Sequence, residues 1–478
     1  MNTSSHSINR RHFLADTGMG FTGLALGAML HNESTAAMAE ATHHPAKAQS
    51  VIWIFLAGGV SQMESFDVKP ALNKYDGMTY EQTPFKDFIN KDRVEKNLSG
   101  AGMSIPPRKE LKRLQTGYAT YGQSGLVAGD WFSKIGECAD DLAVVRSLWT
   151  VHPNHGMQLT WHTGYHVREG SKPTLGAWVS YGLGSLNEQL PKFVVMGDSV
   201  GGCCGGEFAH GANYLGPHHA GVKLSTDPDN PLPFVSPRKG VTAEEAAAEL
   251  ALIKKLNRAS GIEYPDDPQL TARIKSYELA AGMQAAVPDI MRLDRETEAT
   301  RRLYGIDKNH SREFGTQCLA ARRLVEKGVR FVQLYHGAGG AGSWDAHSDI
   351  KKNYDVEAPK VDQPIAGLLK DLKQRGMLDN TLVVFGTEFG RTPGAQGTGR
   401  DHHPQGFTVW LAGGGIRPGV IHGATDELGF YATEHPHYVT DIHATVLHQL
   451  GLSPAKLDIP GRKRLDIHHG SPIKEIIS

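Results

Sequence analysis

Short apolar runs recur along the chain, and each gives way to glycine or to a dense polar group. They are Val51–Leu56, Leu142–Val145, Phe193–Met196, Val329–Tyr335, Thr381–Phe385 and Thr408–Ala412. Runs of this length without alternation predict strands buried on both faces, as in a parallel sheet. Helical spacing separates several of them. Phe314, Cys318, Ala321 and Val325 predict one helix closed by Gly328, and Ile365, Leu368, Leu369 and Leu372 predict another over 361–375, ended by Gly376. Asp441 predicts the cap of a last helix over 442–450. From about 242 to 304 the composition turns rich in Ala, Glu and Lys behind the capping box Thr242/Glu245, which predicts a helical insertion. Strand, polar cluster, helix and strand again predict an α/β fold: a mostly parallel, doubly wound sheet sandwiched by helices.

Composition narrows the function classes. The 478 residues carry a net charge of -1 with 40% hydrophobic content, which is globular and offers no basic excess for nucleic acid. Four cysteines, two of them adjacent at Cys203 and Cys204, give neither a zinc pattern nor a disulfide framework, and inert buried thiols are expected. Asn9-Arg10-Arg11-His12-Phe13-Leu14, the weakly apolar run from Gly18 to Leu30 and Ala37-Met38-Ala39 resemble a twin-arginine export signal with its cleavage site. That run is about thirteen residues where a membrane span needs ~20, so no transmembrane segment is expected in the mature protein. The expected organisation is a signal at 1–39, a linker at 40–50 and a single α/β domain over 51–478, exported to the periplasm or beyond.

The chemistry gathers after the strands. Glu64 and Asp67 follow the first, although Ser61 with Glu64 also fits a capping box. Arg146, then Asn154 and His155, follow the second, where a helix over 154–162 would offer free N–H groups to an anion. Asp345 and His347 follow a third strand; Glu388, Arg391, Asp401, His402 and His403 follow a fourth, across a glycine-rich loop. Strand carboxyl ends are the ligand edge of such sheets. Carboxylate and imidazole without thiolate suit Zn, Mn, Mg or Ca, and Arg391 or Arg146 could clamp a sulfate or phosphate. A one- or two-metal hydrolase of anionic esters is the matching reaction class.

Taken in order, Phe55-Leu-Ala-Gly-Gly59 through Ser65-Phe-Asp67, Val145-Arg-Ser147, Asn154-His155, His162-Thr-Gly164, Trp344-Asp-Ala-His347, Gly386-Thr-Glu-Phe-Gly-Arg391, Gly399-Arg-Asp-His402 and Asp441-Ile-His-Ala-Thr-Val-Leu447 resemble an uncharacterised, exported sulfatase-like family within the alkaline phosphatase superfamily. The resemblance implies an alkaline-phosphatase-like domain with metal ligands at strand ends. On that pattern Asp345 and His347 match a first-metal segment, Glu388 stands where relatives have a liganding Asp, and His402 is the late His ligand, with His403 the alternative. Glu64 and Asp67 are the candidate substitutes for an Asp pair replaced by Gly58-Gly59. Phe389 replaces a further histidine ligand. The position of the sulfatase nucleophile, counted back from Thr163-Gly164, falls on Asn154, an amide; Ser104 in Ser104-Ile-Pro-Pro-Arg108 is the other candidate. The implied function is an exported metal-dependent hydrolase of sulfate or phosphate esters using activated water, with His155 moving protons and a sulfated glycan as one candidate substrate. The alternative is an inactive superfamily member that binds a sulfated or phosphorylated glycan or a partner protein.

Overall fold

The first apolar run becomes the centre of the molecule. In the computed structural model, which describes residues 42–86, 110–198, 201–227, 230–232, parts of 242–256, 268–337, 340–457, 459 and 470–478, β1 (Ser50–Leu56) is buried along its whole length. The strands that join it are β2 (Leu142–Trp149), β3 (Phe193–Met196), β4 (Val222–Lys223), β5 (Phe331–His336), β6 (Thr381–Gly386), β9 (Phe407–Ala412), β10 (Val420–His422) and β11 (His437–Tyr438), while β7 (Gly390–Gln396) and β8 (Gly399–His403) form a separate hairpin. The order across the main sheet is β10-β2-β9-β6-β1-β5-β3-β4, with β11 on the same edge of β2 as β10. β1 pairs in parallel with β5 and β6 on its two sides; β9 alone runs antiparallel to both of its neighbours.

Helices cover both faces, as continuous apolar strands require. Ile52, Ile54 and Leu56 of β1 join a core with α4 (Arg312–Glu326) and α5 (Ile350–Gln374), to which α3 (Pro268–Met291) adds Met283 and Val287. Val51, Trp53 and Phe55 face the other way, against α1 (Met157–Thr163), α2 (Leu175–Leu183) and α6 (Val439–Gln449). The period of two along β1 therefore divides the two cores.

Several local expectations change. β2 runs on to Trp149, so Arg146 and Ser147 lie within the strand and not beyond it. The helix expected over 154–162 begins at Met157; the N–H groups of Met157, Gln158 and Leu159 already donate to the carbonyls of Asn154, His155 and Gly156 and offer nothing to an anion. Ser61 caps no helix, because residues 62–67 form turns and bends. The expected glycine-rich loop is the hairpin β7–β8, turning at Gly397. α5 starts at Ile350, earlier than expected, and Asp441 sits inside the first turn of α6. The Thr242/Glu245 reciprocal bonds are present, although much of 242–267 lies outside the described residues. The expected export signal and Ser104 also lie outside them. Cys138 and Cys318 are buried free thiols, Cys204 is buried, and no described helix is long and apolar enough to cross a membrane.

A buried histidine in the helical layers predicts a fold that loses stability in acid. His443 on α6 donates from Nε2 to the Trp161 carbonyl at 2.7 Å. Burial pushes its pKa down to about 4, which the same bond only partly offsets. The neutral ring is therefore favoured by folding. The associated stability is present above the ordinary pKa of about 6.5 and is lost as pH falls toward 4, on the order of 3 kcal/mol at the lower end. Urea unfolding across that window should show a falling midpoint. His443→Gln, which keeps a donor for the carbonyl but cannot titrate, should reduce that slope; an unchanged slope contradicts the assignment.

Candidate metal centre

Four chain segments meet where parallel strands end. β1 turns through Ala57-Gly58-Gly59, β2 continues into Pro153-Asn154-His155, β5 leads to Trp344-Asp345, and β6 passes through Thr387-Glu388-Phe389 into the hairpin. Their close approach depends on missing side chains. Gly58 has φ +125°, and a Cβ there would stand 2.4 Å from the Asp345 nitrogen. At Gly399 a Cβ would stand 2.3 Å from the carbonyl carbon of His347. Larger residues would push the hairpin and the turn away from the Asp345 segment.

Asp345 is the focus. Its Oδ1 lies 2.9 Å from His402 Nε2 and 3.1 Å from His347 Nε2, and the two Nε2 atoms are 2.9 Å apart. Its Oδ2 lies 3.3 Å from His155 Nε2, and ligand atoms of His155, Asp345 and His402 all fall within 4.8 Å of one another. Each imidazole has its other nitrogen tied to an outer acceptor. His402 Nδ1 donates to the Pro153 carbonyl at 2.6 Å, His155 Nδ1 to Glu388 Oε1 at 3.0 Å, and His347 Nδ1 to Gln396 Oε1. In the neutral tautomer fixed this way, His402 turns a bare Nε2 lone pair toward the Asp345 carboxylate. Two lone pairs facing at 2.9 Å repel, so the contact needs either a second proton on the ring or a cation shared by the two groups. Tetrahedral ligands bonded at about 2.0–2.1 Å stand about 3.3 Å apart, a scale the spacings of 2.9–3.3 Å approach. The donor set fits a divalent metal.

The same contacts set the electrostatics. Burial alone would raise the Asp345 pKa, but hydrogen bonds from His155, His347 and His402 and the charge of Arg391 hold it well below the usual carboxylate range. Burial opposes a charge on His155; bonds to Asp345 and Glu388 outweigh it and raise its pKa to about 9. His347 is raised, chiefly by its bond to Asp345. His402 is lowered by burial first, with Arg391 and His155 adding to the effect against Asp345.

The remaining sequence candidates occupy other places. Glu388 is fully buried behind His155, where its carboxylate accepts from the Gly58 N–H at 2.9 Å, from Gln158 Nε2 at 3.0 Å and from Thr387 Oγ1 at 3.1 Å. These contacts make it an orienting group for His155. Arg391 is also fully buried: it donates to the carbonyls of Gly58, Gly59, Trp344 and Arg400 and to Asp345 Oδ1 at 2.7 Å, so its fork faces the protein and not a ligand. Glu64 pairs with the equally buried Arg400 at 2.7 Å beneath the hairpin. Asp67 pairs with Lys69 at 2.9 Å and lies 3.7 Å from Arg146, whose Nε donates to the Gly423 carbonyl. Asn154 accepts the Gly156 N–H in a turn. His403 points away from Asp345 and donates to the Phe430 carbonyl, as alternation along β8 dictates.

Sequence patterning does not single out Gln158, Gln396 or the Pro153 carbonyl as outer partners. Gln158 alone leaves a trace, one turn of helix after Asn154. Gln396 acts only because the hairpin folds it over His347, and a backbone carbonyl has no sequence signature.

No curated protein matches the chain. Similar solved structures include Ps i-CgsB, at 13% identity and TM-score 0.34, covering 85% of this chain and 73% of that one. The phosphonate monoester hydrolase SpPMH from Silicibacter pomeroyi matches at 12% identity and TM-score 0.34, over 72% of this chain and 71% of that one. A mutant TAB5 alkaline phosphatase with Mg bound matches at 11% identity and TM-score 0.35, over 85% and 99%. These likenesses are too distant to assign a site or an activity. The sequence pattern described as "Protein of unknown function (DUF1501)" matches residues 48–477, nearly the whole chain, and the chain belongs to that family.

Proposed function

We propose that this chain is an exported, metal-dependent hydrolase of sulfate or phosphate esters with an alkaline-phosphatase-like fold. The observation that carries the metal is the convergence of His155, His347 and His402 on Asp345, each with its Nδ1 held by an outer acceptor. Asp345, His347 and His402 would hold the cation, with His155 beside them. A donor set richer in imidazole than in carboxylate favours Zn over Mn, Mg or Ca, which prefer oxygen. When bound, the cation supplies Lewis acidity toward an oxygen of the anionic ester. Around it, Arg391 neutralises and aims Asp345 from behind, while Glu388 fixes the ring of His155. His155 Nε2 is then placed to hold or release a proton toward a leaving oxygen. A sulfated glycan is the candidate physiological substrate.

Asn154 supports a second reading. Where the sulfatase-like pattern places a nucleophile, the chain has an amide whose oxygen is taken by Gly156. A binding protein that holds an anionic ester without turnover would keep the metal and lack hydrolysis.

Elemental analysis of the purified chain, with assays on aryl sulfates, aryl phosphates and sulfated oligosaccharides, separates these readings. His402→Ala and Asp345→Ala should each lose the metal and at least ~100-fold in turnover, whereas Glu388→Gln should keep the metal and lower turnover by about 10–100-fold, because the ring of His155 loses its anchor. Absence of metal from the wild-type chain sinks both readings; metal with no turnover on any ester leaves the binding reading. Glu64→Ala should destabilise the fold by about 3–5 kcal/mol in urea unfolding, since it strands the buried Arg400, without removing metal from the folded protein. Export is tested by fractionation of an Arg10→Lys/Arg11→Lys variant, which should remain inside the cell; normal export of that variant contradicts the twin-arginine route.

A further inference from the structure

A second group of imidazoles lies at the edge of the main sheet. β10 and β11 share one side of β2, with His422 opposite Val145 and His437 opposite Leu148. Their Nε2 atoms are 2.9 Å apart. His437 Nδ1 donates to Asp441 Oδ2 at 2.9 Å, and Asp441 is itself anchored because its Oδ1 accepts the Ser471 N–H at 2.8 Å. The ring of His435 stacks on His422 with centroids 5.2 Å apart, and the carboxylate of Glu475 is close enough to feel the charges of His422, His437 and His435.

We propose that His422 and His437 form a second metal site, independent of the centre at Asp345, for a divalent ion of the zinc, nickel or copper class. Imidazole ligands without thiolate select that class. The Asp441–His437 pair repeats the carboxylate–imidazole arrangement that orients metal-binding rings, so His437 turns Nε2 toward the same point as His422. Two imidazoles leave the other coordination positions to water, and Glu475 supplies negative charge nearby. A role follows from the strands that carry the ligands. β10 has three residues and β11 has two, so the backbone ladder holds each to β2 by few bonds. A cation shared by His422 and His437 would staple the two strands together along that edge. His422 is buried and His437 half-buried, which leaves the pair accessible to a small ion.

The test uses the full-length chain, stripped with a chelator and dialysed against Zn²⁺ alone, with bound zinc counted by elemental analysis. His422→Ala and His437→Ala are each expected to bind one zinc equivalent fewer than wild type, and this loss should add to any loss in His402→Ala. In the His402→Ala background zinc should still raise the melting temperature, and adding His437→Gln, a milder change at the half-buried position, should abolish the rise. Unchanged zinc content in both His422→Ala and His437→Ala overturns the proposal and leaves an ordinary ring-to-ring hydrogen bond. So does a zinc-dependent melting temperature that survives His437→Gln. Failure of the Asp345 centre would appear instead as unchanged zinc content in His402→Ala, so the two results are distinguishable.

Discussion

A wholly buried guanidinium must find its counter-charge and its acceptors within the fold, and Arg391 meets that demand by joining the segments that build the site. Its donors reach the carbonyls of Gly58 and Gly59 on the turn after β1, of Trp344 before α5, and of Arg400 on the facing strand of the hairpin. The charge is matched by Asp345. Removing any one of these partners would leave buried polarity without compensation. The position of Asp345, and through it that of three histidines, therefore follows from how Arg391 is satisfied. Arg400 does the same beneath the hairpin, held by Glu64 and by the carbonyls of Lys112, Arg113, Thr392 and Pro393.

This division of labour separates charges that hold the architecture from groups that face the centre. Glu64, Arg400, Arg391 and Glu388 are fully buried, while His155, His347, His402 and Asp345 retain partial exposure. Glu388 links the two sets. Its carboxylate is filled by a backbone N–H, an amide and a hydroxyl, and its one contact with the exposed set is the Nδ1 of His155.

Much of the architecture was legible in the sequence because strands buried on both faces write themselves as unbroken apolar runs. β1, β3, β6 and β9 fall within a residue or two of where those runs stand. The hairpin was not legible. Gly394, Gly397, Gly399 and Pro393 signal breaks, whereas the strands are set by pairing between Arg391 and His402 across the turn. Residue types after strands pointed to Asp345, His347 and His402, which the fold brings together. Type alone could not separate charges facing a ligand from charges facing each other. Arg391, Glu64 and Asp67 have the chemistry of a site and the partners of a core, and that distinction depends on contacts hundreds of residues apart in sequence.

The proposed role of Asp345 and the histidine rings around it is to hold a cation. X-ray diffraction from crystals grown with Zn²⁺ or Mn²⁺, collected across the absorption edge of the added metal, measures this directly. An anomalous peak bonded to Asp345, His347 and His402 is the predicted result. A well-ordered site without such a peak, with Asp345 paired only to Arg391 and the rings, would contradict it.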